Sequence, residues 1–81
     1  MRYILFIKES CPYCTMAQDL LEKRSLNYNT VIFEPEQESV LDEIKKAYEW
    51  GTVPMIFFRD GAEIEFVGGF SDLQKYLCGD E

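Results

Sequence analysis

The chain has 81 residues, 47% of them hydrophobic, and a formal net charge of −7 with no histidine. That length leaves room for one core and no second, and a chain of this size buries only about 60% of its unfolded surface. The acidic balance argues against nucleic acid, whose binding rests on clustered Lys and Arg, and no stretch is long enough to cross a membrane.

The first element is a continuous apolar run over residues 3–7 (Tyr, Ile, Leu, Phe, Ile), bounded by Lys8, Glu9 and Ser10. Such a run reads as a strand buried on both faces, as inside a parallel sheet. It is too short for the h-region of a secretory signal. From Pro12 to about Ser25 the spacing is helical, with Cys14, Ala17, Leu20 and Leu21 on one face and Gln18, Asp19, Glu22 and Lys23 toward water. Pro12 suits the first helical position, where its missing N–H would have no partner, so Cys11 falls at the N-cap.

Residues 28–33 read as a second strand, closed by Glu34-Pro35. A capping-box spacing at Ser39 and Asp42 predicts a second helix running to about Glu49, with Val40, Ile44, Ala47 and Tyr48 inward and Gly51 as its stop. Pro35-Glu36 is an equally reasonable start. Pro54 opens a third buried strand over residues 55–58, and Asp60-Gly61 is a hairpin signal. The return strand, 63–67, alternates polar and apolar, as one wet face requires. After Gly68-Gly69, the spacing of Ser71 and Gln74 predicts a capping box and a short last helix with Leu73, Tyr76 and Leu77 inward. The expected architecture is α/β, in the order β-α-β-α-β-β-α, with a four-stranded mixed sheet flanked by helices in a single domain, 1–81.

The chemistry concentrates at Cys11-Pro12-Tyr13-Cys14. An N-cap side chain accepts from the N–H of the second or third helical residue, here Tyr13 and Cys14. A sulfur in that place gains those donors and the positive end of the helix dipole, and Lys8 can add a cation from the end of the first strand. Such settings lower a cysteine pKa from about 8.5 to between about 3.5 and 7.5. Cys14, turned inward within the first turn, is the less exposed sulfur. Cys11 is therefore read as the nucleophile, and Cys14 as the thiol that resolves its mixed disulfide.

Other uses of the pair are weaker. A zinc site takes about four Cys or His ligands, and only Cys78 remains. Closing so short a loop contributes about 2 kcal/mol in the chain-entropy model, against about 4 for a bridge from Cys14 to Cys78. A cluster shared by two subunits through Cys11 is a further use, with Pro12 and Tyr13 crowding it. Cys78, in the last helical turn, reads as a small packing residue. Three cysteines without an export signal fit a reducing, cytoplasmic compartment.

Three motifs in order, Lys8-x-x-Cys11-Pro12-Tyr13-Cys14, Thr52-Val53-Pro54 and Gly68-Gly69-Phe70-Ser71-Asp72-Leu73, resemble those of the small dithiol glutaredoxins. The resemblance implies a thioredoxin-like fold and a glutathione-disulfide oxidoreductase that reduces protein disulfides and glutathione mixed disulfides, with glutathione as reductant and no permanently bound cofactor or metal. It implies a cis Pro54 facing the cysteines, a Val53 backbone pairing with the cysteine part of glutathione, and a Gly69 to Asp72 segment receiving the γ-glutamyl end. Lys8, Tyr13, Thr52, Val53, Pro54, Gly69, Phe70, Ser71 and Asp72 are the glutathione-binding residues it assigns. Family members usually carry a basic or amide residue just before Thr-Val-Pro that helps to hold the glycine carboxylate; this chain has Trp50-Gly51 there, which leaves that part to Lys8, helped by Gln37 or Lys45. That departure admits an alternative, a monomeric electron donor dedicated to ribonucleotide reductase and recycled by thioredoxin reductase.

Overall fold

The computed structural model describes residues 1–78; residues 79–81 lie outside it. The elements run β1 (Arg2–Lys8), α1 (Pro12–Lys23), β2 (Tyr28–Phe33), a 3-10 turn (Pro35–Gln37), α2 (Glu38–Ala47), β3 (Met55–Asp60), β4 (Glu63–Gly68) and α3 (Phe70–Cys78). The strands form one mixed sheet in the order β2-β1-β3-β4. β1 pairs in parallel with β2, and β3 is antiparallel to both β1 and β4.

The unbroken apolar runs follow from two-sided burial. Side chains alternate across a strand, so Tyr3, Leu5 and Ile7 of β1 and Ile56 of β3 join Cys14, Ala17 and Leu21 of α1 and Leu73 of α3 on one face. Ile4 and Phe6 turn the other way, where Phe33, Leu41, Met55 and Phe57 close a second cluster under α2. Phe6 makes ring contacts with Phe33 and Phe57 across that face. Leu5, Leu21, Leu41, Met55, Ile56 and Leu73 are all fully buried, each contributing roughly 1.5–3 kcal/mol of transfer free energy.

The helix ends depart from their sequence reading in instructive ways. α2 is entered through the 3-10 turn that begins at Pro35, and the Gln37 side chain accepts from the backbone N–H of Glu34 at 3.0 Å. Ser39 is therefore already inside the helix rather than its cap. The inward stripe falls on Leu41, with Ile44 packed beside it. Val40, Ala47 and Tyr48 are exposed, Tyr48 lying at the rim with its ring against Phe57 and Phe66.

The left-handed residue that closes off the same helix is Glu49, not Gly51. Glu49 is left-handed (φ 52°), its N–H bonds the Lys46 carbonyl at 3.1 Å, and the Trp50 N–H bonds the Lys45 carbonyl at 2.8 Å. That pair of bonds is a Schellman motif with a glutamate where glycine is usual. α1 ends the same way at Ser25 (φ 56°), with Ser25 bonded to Glu22 and Leu26 to Leu21. In α3, Tyr76 is partly exposed although its ring meets Tyr3 and Phe58. Cys78, expected to pack, is exposed, and its sulfur accepts from the Arg24 guanidinium at 3.1 Å.

Candidate active site

The C-terminal end of β1 delivers the chain to α1 through Ser10, which is left-handed (φ 56°). Cys11 is the N-cap of α1 in an extended conformation, and Pro12 occupies the first helical position. The backbone N–H of Cys14 donates to Sγ of Cys11 at 3.2 Å. The two sulfurs form a disulfide across a Cα–Cα distance of 5.2 Å. Cys11 is partly buried, whereas Cys14 is 2% exposed and belongs to the core under β1. The two sulfurs are therefore unequal: one sits at a helix N-terminus within reach of solvent, and the other is sealed behind it. Anionic sulfur at Cys11 is stabilised by the Cys14 N–H and by the positive end of α1.

Beside the pair lies a cleft of about 330 Å³. It is walled by Tyr13 of α1, by Trp50, Thr52, Val53 and Pro54 ahead of β3, and by Gly69, Phe70, Ser71 and Asp72 at the start of α3. The Val53–Pro54 peptide is cis. Pro54 is fully buried and Val53 half-buried, which fixes this segment against the sheet. Tyr13 is 59% exposed, its ring centroid 6.2 Å from that of Phe70. Together they form one aromatic rim.

The opposite end is built by two glycines and a carboxylate. Gly68 has φ 124°, and a Cβ placed on it would lie 2.6 Å from Oδ2 of Asp72. Glycine is required there on both counts. Oδ2 of Asp72 accepts from the backbone N–H of Gly69 at 2.9 Å, and the Leu73 N–H bonds the Gly69 carbonyl. Gly69 is therefore the N-cap of α3 and Asp72 its third residue. The box predicted at Ser71 and Gln74 is displaced by two positions, which leaves the Ser71 hydroxyl exposed at the mouth of the cleft.

Eight of the nine glutathione-binding residues assigned by sequence resemblance thus line one cleft next to Cys11. The ninth, Lys8, is not among them. Its Nζ is 3.0 Å from Oε1 of Glu38 in a solvent-exposed ion pair at the start of α2. Trp50 is the residue whose part the sequence did not disclose; there it registered only as the absence of a basic side chain. In the structure it is part of the wall. The Schellman bond from its N–H to Lys45 seats it, its ring stands edge-on to Phe66 at 5.3 Å, and its Cζ2 would lie 3.5 Å from a Cβ on Gly69. Its Nε1–H is buried without a hydrogen-bond partner.

A mixed four-stranded sheet with a disulfide-forming Cys-x-x-Cys at a helix N-terminus, and a cis-proline in the cleft that Tyr13 of that motif also lines, defines a thioredoxin-like protein of the redox-pair type. The family model for glutaredoxin matches residues 4–63, and the chain belongs to the glutaredoxin family, its Cys11–Cys14 pair marking the dithiol type. It is 37% identical over 71 residues to glutaredoxin 1 of Rickettsia prowazekii, covering 86% of this chain and 70% of that one. The solution structure of a dithiolic glutaredoxin from Trypanosoma brucei brucei superposes with a TM-score of 0.77 at 33% identity, over 98% of this chain and 79% of that one. A crystal structure of a buckwheat glutaredoxin–glutathione complex shares the fold, with a TM-score of 0.76 at 22% identity, over 95% and 69% of the two chains. The chain spans 28% of the length of a hybrid peroxiredoxin from Haemophilus influenzae, 45% of bovine mitochondrial glutaredoxin-2 and 63% of glutaredoxin-2 of Schizosaccharomyces pombe, all of which it also matches.

Proposed function

We propose that the chain is a thiol–disulfide oxidoreductase that uses glutathione to reduce protein disulfides and glutathione mixed disulfides, acting as a monomer in a reducing, cytoplasmic compartment. The observation that carries this reading is the asymmetric pair: Cys11 capped by the Cys14 N–H at the cleft, and Cys14 buried beneath it. The thiolate of Cys11 attacks a substrate disulfide, forming a mixed disulfide and expelling one substrate thiolate, which takes up a proton. Cys14 then attacks Sγ of Cys11, releases the second substrate thiol and closes the Cys11–Cys14 bridge. Two glutathione thiols reopen the bridge in two exchanges and leave as glutathione disulfide, so two electrons pass to each substrate disulfide. A low-pKa sulfur is also the better leaving group, which favours exchange at Cys11 in both directions.

The cleft supports glutathione as the co-substrate through the Val53 segment ahead of β3, whose backbone can pair with a short peptide, and through the Gly69–Asp72 turn. A buckwheat relative of the same fold is described as a glutathione complex. A second reading is favoured by Trp50, an apolar residue in the cleft wall: a donor dedicated to ribonucleotide reductase and recycled by thioredoxin reductase. One coupled assay separates the two. NADPH oxidation is followed with glutathione plus glutathione reductase, then with thioredoxin reductase alone. Turnover only in the first supports the glutathione reading, and turnover only in the second replaces it.

A further inference from the structure

Glutathione brings two carboxylates and one ammonium to its site. The cleft offers the Asp72 carboxylate for the ammonium, and the start of α3 with Ser71 for one carboxylate. For the second carboxylate it offers nothing charged. Asp72 is the one ionised side chain in the lining, and the rest of the wall is aromatic, aliphatic or hydroxyl. Lys8 is committed to Glu38 at 3.0 Å, so an anion drawn to it shares that cation with a carboxylate already present.

Trp50 decides what the wall accepts instead. Setting a carboxylate against an indole ring removes part of its hydration with no countercharge in return, whereas a peptide carbonyl loses far less. The indole Nε1–H is buried with no acceptor, so Trp50 offers the cleft no hydrogen-bond donor that a carboxylate could reach. The net charge of −7 works in the same direction, disfavouring an anionic ligand at long range.

We infer that this cleft does not read the glycyl carboxylate of glutathione, and that Trp50 adapts its wall to a neutral continuing peptide chain, as in a protein disulfide. The inference rests on the glutathione reading above and deepens it. It is tested by reducing the Cys11–Cys14 bridge with glutathione and with its glycyl monoethyl ester, each rate divided by that thiol's rate with a small dialkyl disulfide. The expected acid-to-ester ratio for the natural chain is within about twofold of unity, since the lining holds no cation, whereas a formed exposed ion pair gives up to about fivefold. A larger preference for the acid overturns the inference. In Trp50→Lys, with folding confirmed by its melting curve, the ratio is expected to rise toward the acid by about two- to fivefold, the size of one new exposed ion pair; an unchanged ratio overturns the role of Trp50. A bridge that neither thiol reduces, while dithiothreitol does, overturns the glutathione reading itself and the inference with it.

Discussion

The backbone N–H of Cys14 donates to Sγ of Cys11 at 3.2 Å while the Cys14 sulfur is itself sealed in the core. In the proposed mechanism one residue thus serves the nucleophile through its backbone and resolves it through its side chain. The two functions separate on substitution. Cys11→Ser is expected to abolish turnover on every substrate. Cys14→Ser keeps the backbone donor, so it should retain activity on glutathionylated protein, which needs one sulfur, and lose reduction of protein disulfides, which needs two. Parallel assays on a glutathionylated protein and an intramolecular protein disulfide check this; equal loss in both would show that the roles are not divided.

The turn that seats Trp50 is built on a residue ill-suited to it. Glu49 holds φ 52°, a conformation that costs a residue with a Cβ roughly 1–2 kcal/mol and glycine almost nothing. Glu49→Gly is therefore expected to raise stability by about 1 kcal/mol, about 4–8 °C in Tm for a chain of this size. Gly51 is not left-handed and has open space around its missing Cβ, so Gly51→Ala should be neutral or stabilise by up to about 1 kcal/mol. Thermal unfolding of the two variants distinguishes Glu49 from Gly51 as the stop signal.

Much of the sheet and the placement of the cysteine pair was legible because the signals are local. Two-sided burial writes β1 and β3 as unbroken apolar runs, and an N-cap cysteine followed by proline declares its helix start. The parts that were not legible depend on choices made between distant or competing groups. Residues 69–72 and 71–74 both carry capping-box spacing, and only the close approach of Asp72 to Gly68 settles it for the first. Lys8 and Glu38 are 30 residues apart, and nothing in either segment announces their pairing. Val40 and Tyr48 are apolar enough to be read inward, yet the entry at Pro35 and the narrow Leu41–Ile44 contact leave them outside. Trp50 was visible as a departure but not as a wall.

Burial of Tyr3 (5% exposed) raises its phenol above the ordinary value of 10.0, with Arg24 opposing the rise. The folded state therefore holds the proton more tightly than the unfolded chain. Stability from this group is fully present below the unfolded pKa and is lost as pH climbs through the higher folded value. Denaturant midpoints should fall as pH rises above about 10, and Tyr3→Phe should flatten that fall. Tyr28, whose hydroxyl donates to Glu22, is raised in the same direction, so Tyr28→Phe should flatten the fall as well. An undiminished alkaline loss in Tyr3→Phe would assign it to other groups.

The competing boxes at the start of α3 give opposite expectations for two neighbouring residues. With Gly69 as N-cap, the Asp72 carboxylate satisfies a backbone N–H that would otherwise be orphaned beside the cleft. Asp72→Ala should then cost about 1–2 kcal/mol and lower Tm by about 4–8 °C for each kcal/mol. Ser71→Ala removes an exposed hydroxyl and should change stability by no more than about 0.5 kcal/mol. Activity follows a different order. Both side chains line the cleft, so both variants should raise KM for a glutathionylated substrate while leaving the sulfur chemistry at Cys11 intact, and kcat should change little. Melting curves together with KM and kcat for the two variants test this. A large stability loss in Ser71→Ala with none in Asp72→Ala would restore the box at Ser71 and Gln74.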